Sequence, residues 1–225
     1  MSLYSWIITN KEVFEIIYAL MICLICALIV VKTDRFFRLS LHQGIRYFRN
    51  AFLFYGIAFL FKYFLGIEMA SNYSFAIKII FEYLIVMAGF FLLYSLVWKK
   101  FEFSREEYAS SLFNFIITLF HLMTVVIVIL DYLWQTYFFM FLSQIAIFAY
   151  ASVISFVNYR KFGKQHKFLK FYFASMLLGL AAWLLNLIVA SYLEWNKKVL
   201  IDIGVINGIF FLLILYGVIK VTKIK

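Results

Sequence analysis

The chain contains seven apolar runs of about 20 residues, and this feature constrains its fold more than any other. A helix needs about 20 apolar residues to cross the ~30 Å hydrocarbon core of a bilayer. Short connectors separate the runs and carry most of the charged side chains. The sequence therefore predicts an all-α polytopic membrane protein: a single seven-helix transmembrane domain over residues 1–225, without a soluble domain. The predicted helices cover residues 12–31, 45–65, 75–98, 108–130, 134–157, 168–192 and 199–221.

The composition agrees with lipid as the solvent. Hydrophobic residues make up 66% of the chain, whereas a soluble domain has about 45–50%. This excess excludes a soluble globular fold. The chain also contains no proline, so its helices lack the residue that most often interrupts or kinks a transmembrane helix.

The basic residues predict the orientation of the bundle. Lysine and arginine in short loops are retained on the cytoplasmic side of a membrane. Sixteen of the 21 Lys and Arg residues lie in or beside the first, third and fifth connectors or near the C-terminus, and the other five include no arginine. We therefore expect the N-terminus outside and the C-terminus inside the cell membrane.

The same distribution bears on the partners of the protein. A basic inner face is expected to contact membrane lipids through their anionic headgroups, and it leaves room for a cytoplasmic partner protein or a homo-oligomer. Nucleic-acid binding is not expected, because it requires the positive charge to be gathered on an exposed folded face.

Ionisable side chains inside the predicted helices are the best candidates for a functional site. Each costs about 2.5–3.5 kcal/mol to insert and usually faces the bundle interior. Lys78 and Glu82 are four residues apart on the third helix, so they share a face and can form an ion pair, and Gly89 continues that face.

In the predicted orientation, six polar residues lie in the outer third of the membrane. We expect them to line a polar cavity that opens to the outside and binds a small ligand or ion. The alternative is that each side chain reaches the membrane interface separately. The six are Glu15, Lys62, Lys78, Glu82, Asn186 and Asp202.

Two motifs of small residues predict close helix packing. Gly204 and Gly208 form a GxxxG motif, and Asn207 lies beside it where it can hydrogen-bond across the helix seam. Ser175 and Gly179 repeat the same spacing on the sixth helix. We interpret all five residues as packing residues.

No pattern in the chain predicts an enzyme, a metal site or a cofactor. Cys23 and Cys26 have the spacing of a redox motif, but hydrocarbon disfavours the thiolate that such chemistry needs, so we interpret them as packing residues. His121 is the one histidine deep in a predicted helix, so a haem would lack its second axial ligand. The sequence contains no metalloprotease, nucleophile-elbow or phosphate-loop motif.

An internal comparison predicts a 3+1+3 parallel repeat. A shift of 124 residues aligns the segment that begins at His42 with the one that begins at His166, and it places Lys78 on Asp202. Helices 1–3 and 5–7 both begin outside in the predicted orientation. Parallel repeats of this kind occur in some transporters. The alternative is chance similarity within a sequence that is rich in phenylalanine.

The stretch HQGIRYFRNAFLFYGIA, residues 42–58, resembles the second-helix entry of uncharacterised prokaryotic, archaeal-type seven-helix membrane proteins. Those proteins are distantly similar to the membrane sensor region of some histidine kinases, so the resemblance implies a sensor-like bundle. The seven-helix outline is also similar to that of rhodopsins. However, the one lysine of the seventh helix, Lys220, lies at its inner end rather than mid-span, so we do not expect retinal.

The sequence therefore favours a receptor-like or sensor-like bundle that binds a small ligand or ion near its outer surface. The alternative is a small transporter or channel with Lys78, Glu82 and Asp202 lining the path. The absence of proline favours the first, because transporters commonly use interrupted helices at their binding sites. A passive scaffold in a membrane complex is a third interpretation.

Overall fold

Seven α-helices make up the described part of the chain. The computed structural model describes residues 11–62, 74–101, 115–162, 168–192 and 197–222. Six of the seven helices, all except the second, are long and apolar enough to span a membrane. The all-helical architecture is thus confirmed, and it fits an integral membrane protein. The helices are α1 Lys11–Ser40, α2 Gln43–Leu60, α3 Ser74–Phe101, α4 Phe115–Trp134, α5 Phe138–Phe162, α6 Phe168–Tyr192 and α7 Lys197–Thr222.

The outer surface of these helices is apolar. Leu24 on α1, Leu122 on α4 and Val153 on α5 are each at least 60% exposed, and many similar side chains surround them. A contiguous apolar surface of this extent would be unfavourable in water. Lipid chains are the solvent that can cover it, because they cannot hydrogen-bond and the backbone bonds are already satisfied within the helices.

The first helix is longer than the sequence predicts. It continues to Ser40, so the basic stretch expected to form the first connector is helical. Within this extension, Arg38 Nε donates to Asp34 one turn earlier, at 2.9 Å, a pair that supports helix at this spacing. The chain reverses direction at Leu41, whose φ of 51° lies in the left-handed region.

The connection between α4 and α5 also differs from the prediction. The break was expected at Asp131, but α4 continues to Trp134 and α5 begins at Phe138. A three-residue turn joins them, and Gln135 in this turn has a φ of 51°. Residues 63–65 of the predicted second helix and 108–114 of the predicted fourth helix lie outside the described residues, as does the basic residue Arg105.

Six of the helices form a closed ring. In this ring α1 packs on α2, α2 on α3, α3 on α5, α5 on α6, α6 on α7, and α7 on α1. The remaining helix, α4, packs on the outside of the ring against α3 and α5. Accordingly, few of its side chains are buried: Ile117, Thr124, Val128 and Asp131.

The side chains of α2 fill the centre of the ring. Phe211 of α7 packs edge-on against Phe52, Tyr55 and Phe59 of α2, with ring centroids 5.8–6.1 Å apart. Phe48 of α2 contacts the Tyr172 ring of α6 in a tilted arrangement, with ring centroids 6.2 Å apart. This position explains why α2 is less apolar than the other helices: helix neighbours, rather than lipid, surround most of it.

Helix directions follow from contacts between neighbouring helices. Helices that are consecutive in the chain run antiparallel: Tyr18 meets Phe59 at one end of α1 and α2, and Asp34 meets Arg49 at the other. By contrast, α3 and α5 are parallel. Lys78 lies on the Tyr137 ring, and seven residues further along both helices Gln144 donates to the carbonyl of Ile85.

Candidate functional site

Lys78 and Glu82 lie near the start of α3, where it faces α5. Lys78 Nζ lies 4.0 Å from Glu82 Oε1, the separation expected one helical turn apart. The Glu82 side chain is only 2% exposed, whereas that of Lys78 is 28% exposed. Among the described residues, Glu82 Oε1 has no hydrogen-bond partner. Such a carboxylate is costly, because a buried charge needs both an ion partner and hydrogen bonds.

Tyr137 and Asp131 complete the polar surroundings of this pair. Lys78 Nζ lies 4.2 Å from the centroid of the Tyr137 ring, within the range of a cation–π interaction. Tyr137 occupies the turn before α5. Burial raises its pKa above the ordinary value, and the neighbouring charges of Glu82 and Asp131 raise it further. The phenol therefore stays protonated.

Asp131 serves as a cap for α5. It is fully buried at the end of α4, and its carboxylate accepts hydrogen bonds from the N–H groups of Phe139 and Met140 at 3.0 and 2.7 Å. The Thr136 hydroxyl donates a third bond at 3.1 Å. The first N–H groups of a helix have no partner within it, so this carboxylate satisfies them and anchors the turn that carries Tyr137.

A polar bridge between three helices lies one to two turns deeper. Gln144 of α5 is fully buried; its Oε1 accepts from the Tyr55 hydroxyl of α2, and its Nε2 donates to the Ile85 carbonyl of α3, both at 3.3 Å. Gly89 makes room for this amide, because a Cβ at residue 89 would lie 2.6 Å from Gln144 Nε2. The face of α3 that carries Lys78 and Glu82 therefore packs against α5 at Gly89.

Below Glu82 the wall of the site is apolar. Every residue of α3 from 85 to 92 is buried, and all of them except Gly89 are hydrophobic. Phe91 packs on Phe54 of α2 with ring centroids 5.1 Å apart. This packing joins α3 to α2 below the site.

The other predicted cavity residues lie elsewhere in the ring. Lys62 follows α2 and places its Nζ 4.5 Å from the centroid of the Phe81 ring. Asn186 of α6 donates to the Ala182 carbonyl of its own helix at 2.9 Å, and α6 packs mainly on α5 and α7. Of the six residues, the structure brings Lys78 and Glu82 into direct contact.

Glu15 and Asp202 lie at the α1–α7 seam. A Cβ at Gly204 would lie 3.8 Å from the Tyr18 ring, and one at Gly208 would lie 3.4 Å from Met21. These two contacts make α1 and α7 parallel and place Asp202 level with Glu15. Asp202 is exposed, whereas Glu15 is half-buried.

The small residues differ in how tightly they pack. The distances at Gly204 and Gly208 correspond to ordinary van der Waals contact, and the adjacent Asn207 is half-buried. At Gly179 of α6 the approach is much closer, since a Cβ would lie 2.4 Å from the Phe148 ring of α5. Ser175 is buried and donates to the carbonyl one turn earlier, at 2.7 Å.

His121 and the two cysteines join neighbouring helices. His121 Nδ1 of α4 lies 2.5 Å from the Tyr83 hydroxyl of α3, and the two rings are stacked. Cys26 is buried, and the Cys23 thiol donates to the Gly56 carbonyl of α2 at 3.3 Å. Within the ranges that the structure describes, no group of three or more His, Cys, Asp or Glu side chains could hold a metal ion.

Tyr137, Asp131 and Gln144 are not among the site residues that the sequence predicts. Asp131 carried a usable signal: it is the single acidic residue in the short polar stretch between two long apolar runs, where a helix cap is common. Gln144 is a lone amide in an apolar helix, which often marks an interhelical hydrogen bond. Tyr137 gave no signal, because tyrosines are frequent throughout this chain.

Comparison with known proteins adds no relative: no protein-family model, no curated protein and no solved structure matches the chain. The resemblance of residues 42–58 to archaeal-type seven-helix proteins therefore stays a prediction.

Proposed function

We propose that the chain is a receptor-like or sensor-like integral membrane bundle whose polar site around Glu82 binds a small ligand or ion. The observation that carries this proposal is the buried Glu82 carboxylate, with Oε1 unbonded among the described residues and a single ion partner at 4.0 Å. A group in this state has acceptor capacity left for a ligand. No catalytic role is assigned to it.

The packing beneath the site favours binding over passage. Lys78 is partly exposed near the start of α3, so a ligand can approach there, while the buried apolar stretch 85–92 and the Gln144 bridge lie beneath. A closed base suits a receptor, in which binding shifts the bundle between two arrangements. The α3–α5 seam, with the peripheral helix α4 attached to both, is the natural place for that shift.

One observation supports the alternative of a small transporter. In a 3+1+3 repeat, the contact of α3 with α5 corresponds to the contact of α7 with α1, and both pairs are parallel. With the 124-residue shift, Ile85 corresponds to residue 209 and Gln144 to residue 20. These two positions lie next to the observed contact of Gly208 with Met21. This agreement supports the predicted repeat, an arrangement known in transporters.

We also propose that the N-terminus lies outside the cell membrane and that the basic end of the bundle meets anionic lipid headgroups. At that end Asp34 bonds both Arg38 and Arg49. Impermeant maleimide should label Gln135→Cys in intact cells, in a background without Cys23 and Cys26. Lys161→Cys should react only after lysis. The reverse pattern would reject this orientation.

The function is tested with the full chain in lipid nanodiscs. A panel of small ions, amines and amino acids is screened for an increase in the thermal unfolding midpoint, which a ligand of the folded state must produce. The expected result is a shift that Glu82→Gln abolishes and that the matched variant Asp34→Asn, at the other end of the bundle, retains. A shift that survives in Glu82→Gln would refute this site.

Flux measurements separate the two candidate functions. The compound that raises the unfolding midpoint is radiolabelled and added outside proteoliposomes that contain the protein. A receptor should bind it without accumulation in the lumen, whereas a transporter should accumulate it, and Glu82→Gln should prevent that accumulation. Uptake above that of empty liposomes would favour transport.

A further inference from the structure

Among the described residues around Glu82, the charges that lack hydrogen bonds form one separated pair. The Asp131 carboxylate is satisfied by the Thr136 hydroxyl and by two N–H groups at the positive end of α5. The Tyr137 phenol is neutral. Among the described residues, the charges here that no hydrogen bond satisfies are one ammonium, Lys78, and one carboxylate, Glu82. These two opposite charges lie next to each other, and the Asp131 carboxylate adds a negative charge nearby.

The ion pair of Lys78 and Glu82 is weak for a pair in buried surroundings. The Lys78 to Glu82 separation of 4.0 Å is at the limit of an ion pair and too long for a hydrogen bond. Instead of approaching the carboxylate, the ammonium lies over the Tyr137 ring. A buried pair repays the loss of hydration only when hydrogen bonds join the charges. Both groups are thus available to a ligand that can bond each of them.

We infer that the site binds a small zwitterion of the α-amino acid class, with its ammonium donating to Glu82 Oε1 and its carboxylate accepting from Lys78 Nζ. This inference rests on the proposed function. A ligand with a single positive charge would satisfy Glu82 but be repelled by Lys78, and a single negative charge would meet the opposite difficulty. A zwitterion bonds both groups without adding net charge to the site, and the Tyr137 ring offers an apolar surface to its carbon atoms.

The test compares three probes on the full chain in lipid nanodiscs: L-alanine, methylammonium and acetate. Their dissociation constants are measured by titrating the thermal unfolding midpoint. We expect L-alanine to bind at least about tenfold more tightly than either single-charge probe, since each lost charge-assisted bond weakens binding by that factor or more. This comparison uses the unaltered protein, so it does not depend on a variant that folds.

Two variants then assign the contacts. In Glu82→Gln, affinity for L-alanine should fall about tenfold and acetate should bind more tightly than before, because Lys78 has lost its counter-charge. In Lys78→Met, methylammonium should instead bind more tightly than before. Asp34→Asn, at the opposite end of the bundle beside Arg49, should leave all three affinities unchanged.

The possible results distinguish the inferred zwitterion from the proposed ligand site around Glu82. Methylammonium that binds as tightly as L-alanine, in a manner that requires Glu82, would overturn the zwitterion and leave the ligand site intact. The absence of any L-alanine shift would also overturn it, while the wider panel would still decide whether the site binds another ligand. Binding of L-alanine that is equal in Glu82→Gln would reject both.

Discussion

Gly89→Ala should destabilise the bundle by about 2 kcal/mol, although alanine is the better helix former. A Cβ at residue 89 would lie 2.6 Å from Gln144 Nε2 and 2.7 Å from its Oε1. The Gln144 amide cannot turn away without loss, because it holds the hydroxyl of Tyr55 and the carbonyl of Ile85. It is also fully buried, so no water replaces those partners.

The magnitude follows from three contributions. Each interhelical hydrogen bond in a membrane contributes about 0.6 kcal/mol and up to about 1.7 kcal/mol, and the bridge has two. Inserting a methyl group into a packed interior costs about 1–3 kcal/mol. The substitution of Gly by Ala stabilises a helix by about 1 kcal/mol. The losses exceed the gain, and a net loss of about 2 kcal/mol is the central expectation.

The assay is unfolding by SDS in mixed micelles, followed by helical circular dichroism. Gly204→Ala is the matched control: its added methyl group would lie 3.8 Å from the Tyr18 ring, so stability should be unchanged or rise by up to about 1 kcal/mol. In a Gln144→Ala background, Gly89→Ala should lose its penalty, because no amide remains to collide with. Wild-type stability of Gly89→Ala, or an equal penalty without the Gln144 amide, would refute the reasoning.

Three further predictions use the same SDS titration. Gly179→Ala should cost about 1–3 kcal/mol, since its Cβ would lie 2.4 Å from the Phe148 ring; stability equal to that of the wild type would contradict this packing. Asp131→Ala should cost about 1–2 kcal/mol through loss of the α5 cap, and an Asn replacement should recover part of it; equal losses in both would argue against capping. Exchange of Lys78 and Glu82 should preserve folding better than either single reversal, and equal loss in all three variants would reject the pairing.

The sequence was sufficient for the features that depend on lipid as solvent. The apolar runs predict the helices because every backbone group must be bonded within its own segment in hydrocarbon. The spacing of Lys78 and Glu82 predicts their pairing for a similarly local reason, since residues one turn apart share a helix face. The end of α1 was less predictable, because the Asp34–Arg38 pair continues the helix through a stretch whose basic residues suggested a loop.

The composition of the candidate site was not predictable in the same way. Lys78 lies on the Tyr137 ring, and Gln144 bonds the Ile85 carbonyl, only because α3 lies beside α5. No local pattern in the sequence determines which helices become neighbours. The expected cavity joined residues by their depth in the membrane, whereas contact also requires that their helices be adjacent.

The sequence alone therefore determined the number, type and approximate length of the helices. The reason is that lipid as solvent demands hydrogen bonds within each helix. Tertiary packing decided the remainder, namely a six-helix ring that α1 and α7 close, side chains of α2 in its centre, and a peripheral α4. The physical reason is that helix association in lipid depends on close fit and interhelical bonds rather than on hydrophobicity. Gly179 against Phe148, and Gly89 against Gln144, are such fits, and each becomes visible only when two distant segments are placed side by side.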